Sequence, residues 1–284
     1  MNVRKKVVLA ILSSVIVTAL AACGTQNKEA KNEGDTKSVE EKVIGVAPGP
    51  YGDMVTDVIS PLLEEKNSGY TLTTKVFNDY VQPNKALDKG QIDGNLFQHT
   101  AYLEQFATDN DLNLTALQIV PTLGMGIYSK KIDSLEDLKD GDIISIPNDA
   151  SNLARALLLL EVNQLITLKE DVNVAKATVD DIAENPKKLE FKTLEAAQLV
   201  RSQDTVTTAL VPGNFSWAAK LDPADALALE DLAEDYKNVF VVTTDAADSD
   251  FAQAVKEVLE SQEFKDAIAE SSFKDFSKPE FWSE

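Results

Sequence analysis

The chain has 284 residues with 27 basic and 47 acidic side chains, which gives a formal net charge of −20. This balance argues against a nucleic-acid partner, because such proteins present a basic face to phosphates. A single histidine and a single cysteine exclude a His/Cys metal site and a Cys-His nucleophile. No glycine-rich phosphate loop occurs in the sequence, so neither a metal nor a cofactor is expected.

The N-terminal part is predicted to be a signal peptide followed by a tether. Three basic residues precede the sixteen uncharged residues 7–22. A membrane span needs about 20 apolar residues, so this run is too short for a span and is typical of a secretory signal. The stretch "LAAC" resembles a bacterial lipobox, which implies cleavage after 1–22 and lipidation of Cys23. An ordinary secretory signal with an incidental cysteine is the alternative. Residues 23–42 have almost no large apolar side chains, which favours a flexible tether.

The folded part opens with alternating strand and helix patterns. "KVIGVAPG" predicts a buried strand, and "DMVTDVISPLLEEK" predicts a helix. Asp53 is a candidate for its N-cap, and Pro61 argues against one uninterrupted helix. The β-branched, alternating "YTLTTKVF" predicts a second strand. These three segments form one βαβ unit and predict a parallel sheet.

Further elements continue the same alternation. "PNKALDKGQID" predicts a short helix ended by Gly90, and "IISIPND" predicts a strand followed by the helix "ASNLARALLLLEV", with Ser151 or Asn152 as its cap. "TTALVPG" and "NVFVVTTD" predict two more strands, and "DFAQAVKEVLESQEFKDAIAESS" predicts an amphipathic C-terminal helix. The fold class is therefore α/β, and the length favours two lobes.

Two stretches contain aromatic residues suited to a small ligand. "FNDYVQPN" carries Phe77 and Tyr80 at the carboxyl end of a predicted strand, where ligands bind in open α/β sheets. "NLFQHTAYL" carries Phe97, His99 and Tyr102, and His99 is the only histidine of the chain. The alternative is that this histidine only packs in a core or lies on the surface.

A third stretch, "PNDASNLARALLLL", predicts an anion site. Arg155 lies one turn into the predicted helix, three residues after Asn152, so both side chains share one face. A helix N-terminus together with an arginine binds a carboxylate well. The alternative is that Arg155 only pairs with Asp149 or another acidic residue.

These stretches also resemble one known family. "FNDYVQPNKAL", "FQHTAYL" and "IPNDASNLARALLLL" are similar to blocks of the NlpA family of bacterial lipoproteins, the methionine-binding components of ABC importers. "IYSKKIDSLEDL", "ENPKKLEF" and "LEAAQLVRS" also match, and the resemblance runs from about residue 43 to the C-terminus.

The resemblance implies a two-lobed periplasmic-binding-protein fold with two crossover strands, near "MGIYSKK" and "NVFVVTTD". Lobe 1 would comprise residues 43–126 and 238–284, and lobe 2 residues 127–237. The implied ligand is L-methionine or a methionine-containing dipeptide, and Pro212, where the family usually has asparagine, leaves the choice open. The implied ligand-binding residues are Phe77, Tyr80, Phe97, His99, Tyr102, Asn152, Arg155 and Asn214.

The implied role is that of a binding protein without catalytic residues. Its expected partners are the small ligand, the permease and ATPase of an ABC transporter, and the membrane, which it would reach through its lipid anchor on the extracytoplasmic face. A monomer is expected. Two other roles stay open: a surface adhesin that uses the same fold, and a hydrolase that depends on His99.

Overall fold

Two five-stranded sheets form the frame of the protein. The computed structural model describes residues 39–283, and the predicted signal peptide, Cys23 and most of the tether lie outside these residues. The strands are β1 Glu40–Val46, β2 Tyr70–Val76, β3 Gly94–His99, β4 Leu114–Ile119, β5 Gly126–Tyr128, β6 Ile143–Pro147, β7 Thr167–Leu168, β8 Ile182–Glu184, β9 Glu190–Leu194, β10 Thr208–Val211, β11 Ala228–Leu229 and β12 Asn238–Thr243.

The helices pack on these sheets. They are α1 Pro50–Met54, α2 Ser60–Glu65, α3 Gln82–Asp88, α4 Thr100–Asn110, α5 Ala150–Val162, α6 Leu199–Ser202, α7 Gly213–Ala218, α8 Asp250–Glu260 and α9 Gln262–Glu270. A π-helical segment, Val55–Ile59, joins α1 to α2.

The chain passes twice between the two sheets. The first sheet has the order β2-β1-β3-β12-β4, and the second has the order β11-β5-β10-β6-β9. Residues 120–125 lead from β4 into the second sheet, and residues 230–237 return to β12 in the first. Separate hydrophobic clusters pack around each sheet, centred on residues such as Phe240 and Ile144. The fold is therefore α/β and two-lobed.

The predicted βαβ unit is confirmed, with one correction at its helix. Strands β1 and β2 pair in parallel, and the helical path between them runs from Pro50 to Glu65. Asp53 lies inside α1 rather than at its N-cap, because Pro50 starts the helix. Pro61 lacks the N–H that would bond one turn back, and the π-helical segment lies directly before α2, the helix that contains it.

Helix α5 has the predicted extent but a different cap. Asp149 is the N-cap, and its carboxylate accepts a hydrogen bond from the backbone N–H of Asn152 at 3.0 Å. Ser151 and Asn152, the predicted caps, lie two and three residues after Asp149 and are inside the helix, whereas the N-cap precedes the first helical residue. The predicted C-terminal helix is in fact two helices, because Ser261 ends α8 and caps α9.

The predicted tether extends three residues too far. Glu40, Glu41 and Lys42 already belong to β1, where they pair with residues 70–72. Charged side chains are accommodated there because Lys42 contacts both Glu40 and Asp93. Across residues 39–283, none of the helices combines the length and the apolar character needed to cross a bilayer.

Candidate functional site

A pocket lies where the carboxyl ends of strands from the two sheets meet. Its empty volume, including the opening to solvent, is about 350 Å³. Strand β3 and helix α4 contribute to one side, whereas the N-terminal turns of α5 and α7 contribute to the other. The lining residues are Tyr51, Tyr80, Phe97, Gln98, His99, Tyr102, Thr122, Leu123, Asn152, Arg155, Pro212, Gly213, Asn214 and Asn238.

One wall of the pocket is aromatic. The ring centroid of Tyr80 lies 5.9 Å from that of Phe97 and 5.8 Å from that of Tyr102. Phe97 and Tyr102 are themselves in edge contact at 6.1 Å. The Tyr102 hydroxyl donates to the Tyr80 carbonyl oxygen at 3.0 Å, which fixes its ring. This wall offers a rigid apolar surface of the kind that holds an aliphatic or thioether side chain.

His99 joins the aromatic wall to the polar end of the pocket. Its Nδ1 caps α4 by accepting a hydrogen bond from the backbone N–H of Tyr102 at 3.1 Å. Nδ1 is therefore unprotonated, and the proton of the neutral ring sits on Nε2, which faces Asn152 Oδ1 at 3.2 Å. Burial, and then the nearby charge of Arg155, lower the pKa of His99 to about 3, so the imidazole is neutral at physiological pH.

Arg155 supplies the positive charge of the polar end. Its Nε and Nη2 donate to the two carboxylate oxygens of Glu230 at 2.6 and 2.5 Å, and its Nη1 donates to Asn152 Oδ1 at 3.2 Å. Burial acts to lower the pKa of Arg155, but the paired Glu230 outweighs it and raises that pKa. The pairing with an acidic residue that was the alternative for Arg155 thus occurs, and its partner is Glu230.

Asn214 links the two sides of the pocket. The Tyr80 hydroxyl donates to Asn214 Oδ1 at 2.5 Å, and Asn214 Nδ2 donates to the carbonyl oxygen of Pro48 at 3.0 Å. Gly49 lies against the same residue, with φ +140°, and a Cβ atom there would lie 2.7 Å from the Asn214 backbone oxygen. The close approach of the two lobes at this point therefore requires glycine.

The structure brings together all but one of the residues predicted for the folded site. Seven of them line the pocket: Tyr80, Phe97, His99, Tyr102, Asn152, Arg155 and Asn214. Phe77 does not line it. Phe77 is the first residue after β2, and its ring packs in a different cluster, with Leu87, Ile92 and Leu103. Cys23 lies outside the described residues.

Sequence reasoning missed several residues of the site. Tyr51 lines the pocket and is buried, and burial raises its pKa to about 12. Asn238, the first residue of β12, also lines it. Tyr236, just before β12, contacts the His99 ring at 5.3 Å and lies 5.5 Å from the Arg155 guanidinium. Tyr51 follows the carboxyl end of β1, a position that the rule for ligand sites in α/β sheets also covers.

A wider cavity adjoins the pocket on the side of the aromatic wall. The two cavities share Tyr80 and Tyr102, and the wider one is also bordered by Asp79, Asp149 and Glu195. Tyr80 and Tyr102 of the aromatic wall thus border both cavities.

Residues 43–281 match the model of the NlpA lipoprotein family. The chain belongs to this family. One relative within the NlpA family is the D-methionine-binding lipoprotein MetQ of Salmonella typhi, 38% identical over 88% of this chain and 89% of that protein. The methionine-binding lipoprotein MetQ of Bacillus subtilis is 37% identical over 93% of this chain and 95% of its own length.

A solved structure of the same kind is a nutrient-binding protein from Burkholderia cenocepacia bound to methionine. It is 39% identical to this NlpA-family chain, superimposes with a TM-score of 0.76, and is matched over 82% of this chain and 97% of its own.

Proposed function

We propose that the protein is the substrate-binding lipoprotein of an ABC importer and binds L-methionine or a methionine-containing dipeptide. The supporting observation is the pocket, in which an aromatic wall lies opposite a buried arginine. Contacts between sulfur and aromatic rings contribute ~0.3–1.5 kcal/mol each, and a guanidinium suits the ligand carboxylate. The methionine named for the relatives supports the same ligand here.

The pocket residues divide into two roles. Arg155 would hold the carboxylate, with Asn152 beside it. The aromatic wall would hold the side chain, and the wider cavity beyond Tyr80 and Tyr102 offers space for a second residue of a dipeptide. The proposed ligand-binding residues are Tyr80, Phe97, His99, Tyr102, Asn152, Arg155 and Asn214.

The remaining parts of the proposal concern attachment and assembly. Cys23 would carry the lipid anchor, and the residues after it would tether the folded part on the extracytoplasmic face. The partner would be a permease and ATPase complex, and the protein would act as a monomer. The lobes would be residues 43–126 with 238–284, and residues 127–237, a division supported by the strand membership of the two sheets.

The hydrolase alternative is disfavoured by the setting of His99. Its Nδ1 caps α4 and its Nε2 faces an amide oxygen, so neither nitrogen is turned toward a hydroxyl that it could activate. An imidazole with a pKa of about 3 is also a weak general base near neutral pH.

Calorimetry and thermal unfolding would test the ligand. The protein is first stripped by unfolding and refolding, and then titrated with L-methionine, glycyl-methionine and L-leucine. A ligand that binds only the native state adds ~4.1 kcal/mol at a thousandfold excess over Kd, so the melting temperature should rise with at least one methionine ligand. Leucine carries the same charges without the thioether and should bind more weakly. No shift with either methionine ligand would refute the assignment.

A further inference from the structure

The charge of the pocket depends on a residue that does not line it. Arg155 is the only charged side chain among the lining residues, all of which fall within residues 39–283, and His99 is neutral. A buried pocket whose only charge is one cation would favour an anionic ligand. If the ligand also carried a positive group, the charge of that group would stay uncompensated. An amino acid carries an ammonium group as well as a carboxylate, so this pocket requires a further negative charge.

Glu230 supplies that charge from directly behind Arg155. It follows β11 in the segment that returns to the first sheet, and its side chain is only 9% exposed. Both carboxylate oxygens bind the guanidinium, and Oε2 also accepts the backbone N–H of Met125 at 2.9 Å. The carboxylate is therefore held by three donors and has no freedom to turn into the pocket.

The same geometry leaves Arg155 able to bind a ligand. A guanidinium has five N–H donors, and three of them are engaged by Glu230 and Asn152. The remaining two, one on each Nη atom, are available to a second carboxylate. The pair thus presents donors to the pocket while its net charge is zero.

We propose that Glu230 determines the specificity of the pocket for zwitterions by cancelling the charge of Arg155. The inference rests on the proposed function and adds to it the chemical class that the pocket accepts. With Glu230 ionised, Arg155, Glu230 and a bound amino acid together carry two positive and two negative charges. Without the charge of Glu230, the ammonium group of the ligand has no compensating negative charge. A ligand that carries only a carboxylate then matches the charge of Arg155 better than an amino acid does.

The test compares two ligands that differ only in the ammonium group. L-Methionine is the zwitterion, and 4-(methylthio)butanoate is the same molecule without the amino group, so it is smaller and not excluded by size. Calorimetry gives the ratio of the two dissociation constants for the full-length protein and its variants. Both ligands have the same carboxylate. If a variant disturbs the orientation of Arg155, the affinity for both ligands falls by the same factor and the ratio is unchanged. A change in the ratio therefore reports the interaction with the ammonium group.

Glu230→Gln should reduce the preference for methionine over the butanoate by about tenfold, which corresponds to ~1.4 kcal/mol. Asp231→Asn is the matched control, since it removes the same charge from the adjacent, exposed residue and should leave the ratio unchanged. Glu230→Asp keeps the charge and should keep most of the preference, even where the affinity for both ligands falls.

Two results would overturn the inference: an unchanged ratio in Glu230→Gln, which is what an equal loss for both ligands would give, or an equal change of the ratio in Asp231→Asn. If Glu230→Gln does not fold, the wild-type protein decides, because binding the butanoate as tightly as methionine would refute the role of Glu230. Failure of the wild-type protein to bind either methionine or glycyl-methionine is a different result and would overturn the proposed function together with this inference.

Discussion

Acidification should destabilise the protein through one residue, His99. The chain contains a single histidine, which is 4% exposed and has its Nδ1 committed to capping α4. A proton on Nδ1 would turn this hydrogen-bond acceptor into a donor that faces the backbone N–H of Tyr102. The folded state therefore resists protonation, and burial together with Arg155 lowers the pKa of His99 from 6.5 to about 3.

The sign and size of the effect follow from this difference. Below pH ~6.5 the unfolded chain binds a proton on the histidine and the folded chain does not, so the free energy of unfolding decreases as the pH falls. Each pH unit in this range costs ~1.4 kcal/mol. Between pH 7.5 and pH 5.0 the loss is ~2 kcal/mol, and it ends near ~5 kcal/mol as the pH falls through the pKa of the folded state, about 3.

Urea unfolding of tag-free wild-type protein and of His99→Asn, at half-unit steps between pH 5.0 and 7.5, measures this loss. Asparagine keeps a capping acceptor for α4 and does not titrate. The difference in unfolding free energy between the two proteins should shrink by ~2 kcal/mol toward pH 5.0, while the contributions of the carboxylates cancel. Parallel curves, or an imidazole NMR signal that titrates near pH 6.5 in the folded protein, would refute the reasoning.

Two further predictions concern the junction of the lobes and the N-terminus. Gly49→Ala should destabilise the protein by about 2 kcal/mol or more in urea unfolding, because φ +140° with ψ −161° is accessible essentially to glycine alone and the new Cβ would meet Asn214. Gly90→Ala is the control, because Gly90 has φ +63° and open space around it; it should lower the free energy of unfolding by only ~1–2 kcal/mol. An equal loss in the two variants would argue against the contact between residue 49 and Asn214. Cys23→Ala should release the protein from membranes in cell fractionation, since stable anchoring takes two acyl chains; a membrane-bound variant would contradict lipidation at this cysteine.

Local sequence patterns predicted the elements that have a regular apolar periodicity. Helix α5 was predicted to its last residue because "ALLLL" places a continuous apolar face on the core, where Leu157 and Leu160 are fully buried. Strand β3 has no such pattern, although every one of its residues is buried. Its polar side chains Asn95 and Gln98 form hydrogen bonds with Asn84 on α3, and this compensation is visible only once the chain has folded.

The residues of the site were likewise only partly predictable from the sequence. The residues that lie on short continuous stretches, such as Tyr80 and His99, were predictable because neighbouring positions carried complementary chemistry. Glu230 was not, because it is one of 47 acidic residues and its partner Arg155 lies 75 positions earlier in the chain. Phe77 lies directly after β2 and packs outside the pocket, and the sequence does not show which surface of the sheet an aromatic residue at such a position faces.

The position of β12 has a consequence for the order in which the protein is built. This strand is the last to be synthesised, yet it lies between β3 and β4 inside the first sheet. All five strands of the second sheet lie between residues 126 and 229, so that lobe has its complete sheet before β12 exists. A chain shortened before residue 238 would keep the second sheet whole and leave β4 without its only neighbour. During synthesis, the first sheet therefore cannot be completed until nearly the entire chain has been made, and the edges of β3 and β4 stay unpaired until then.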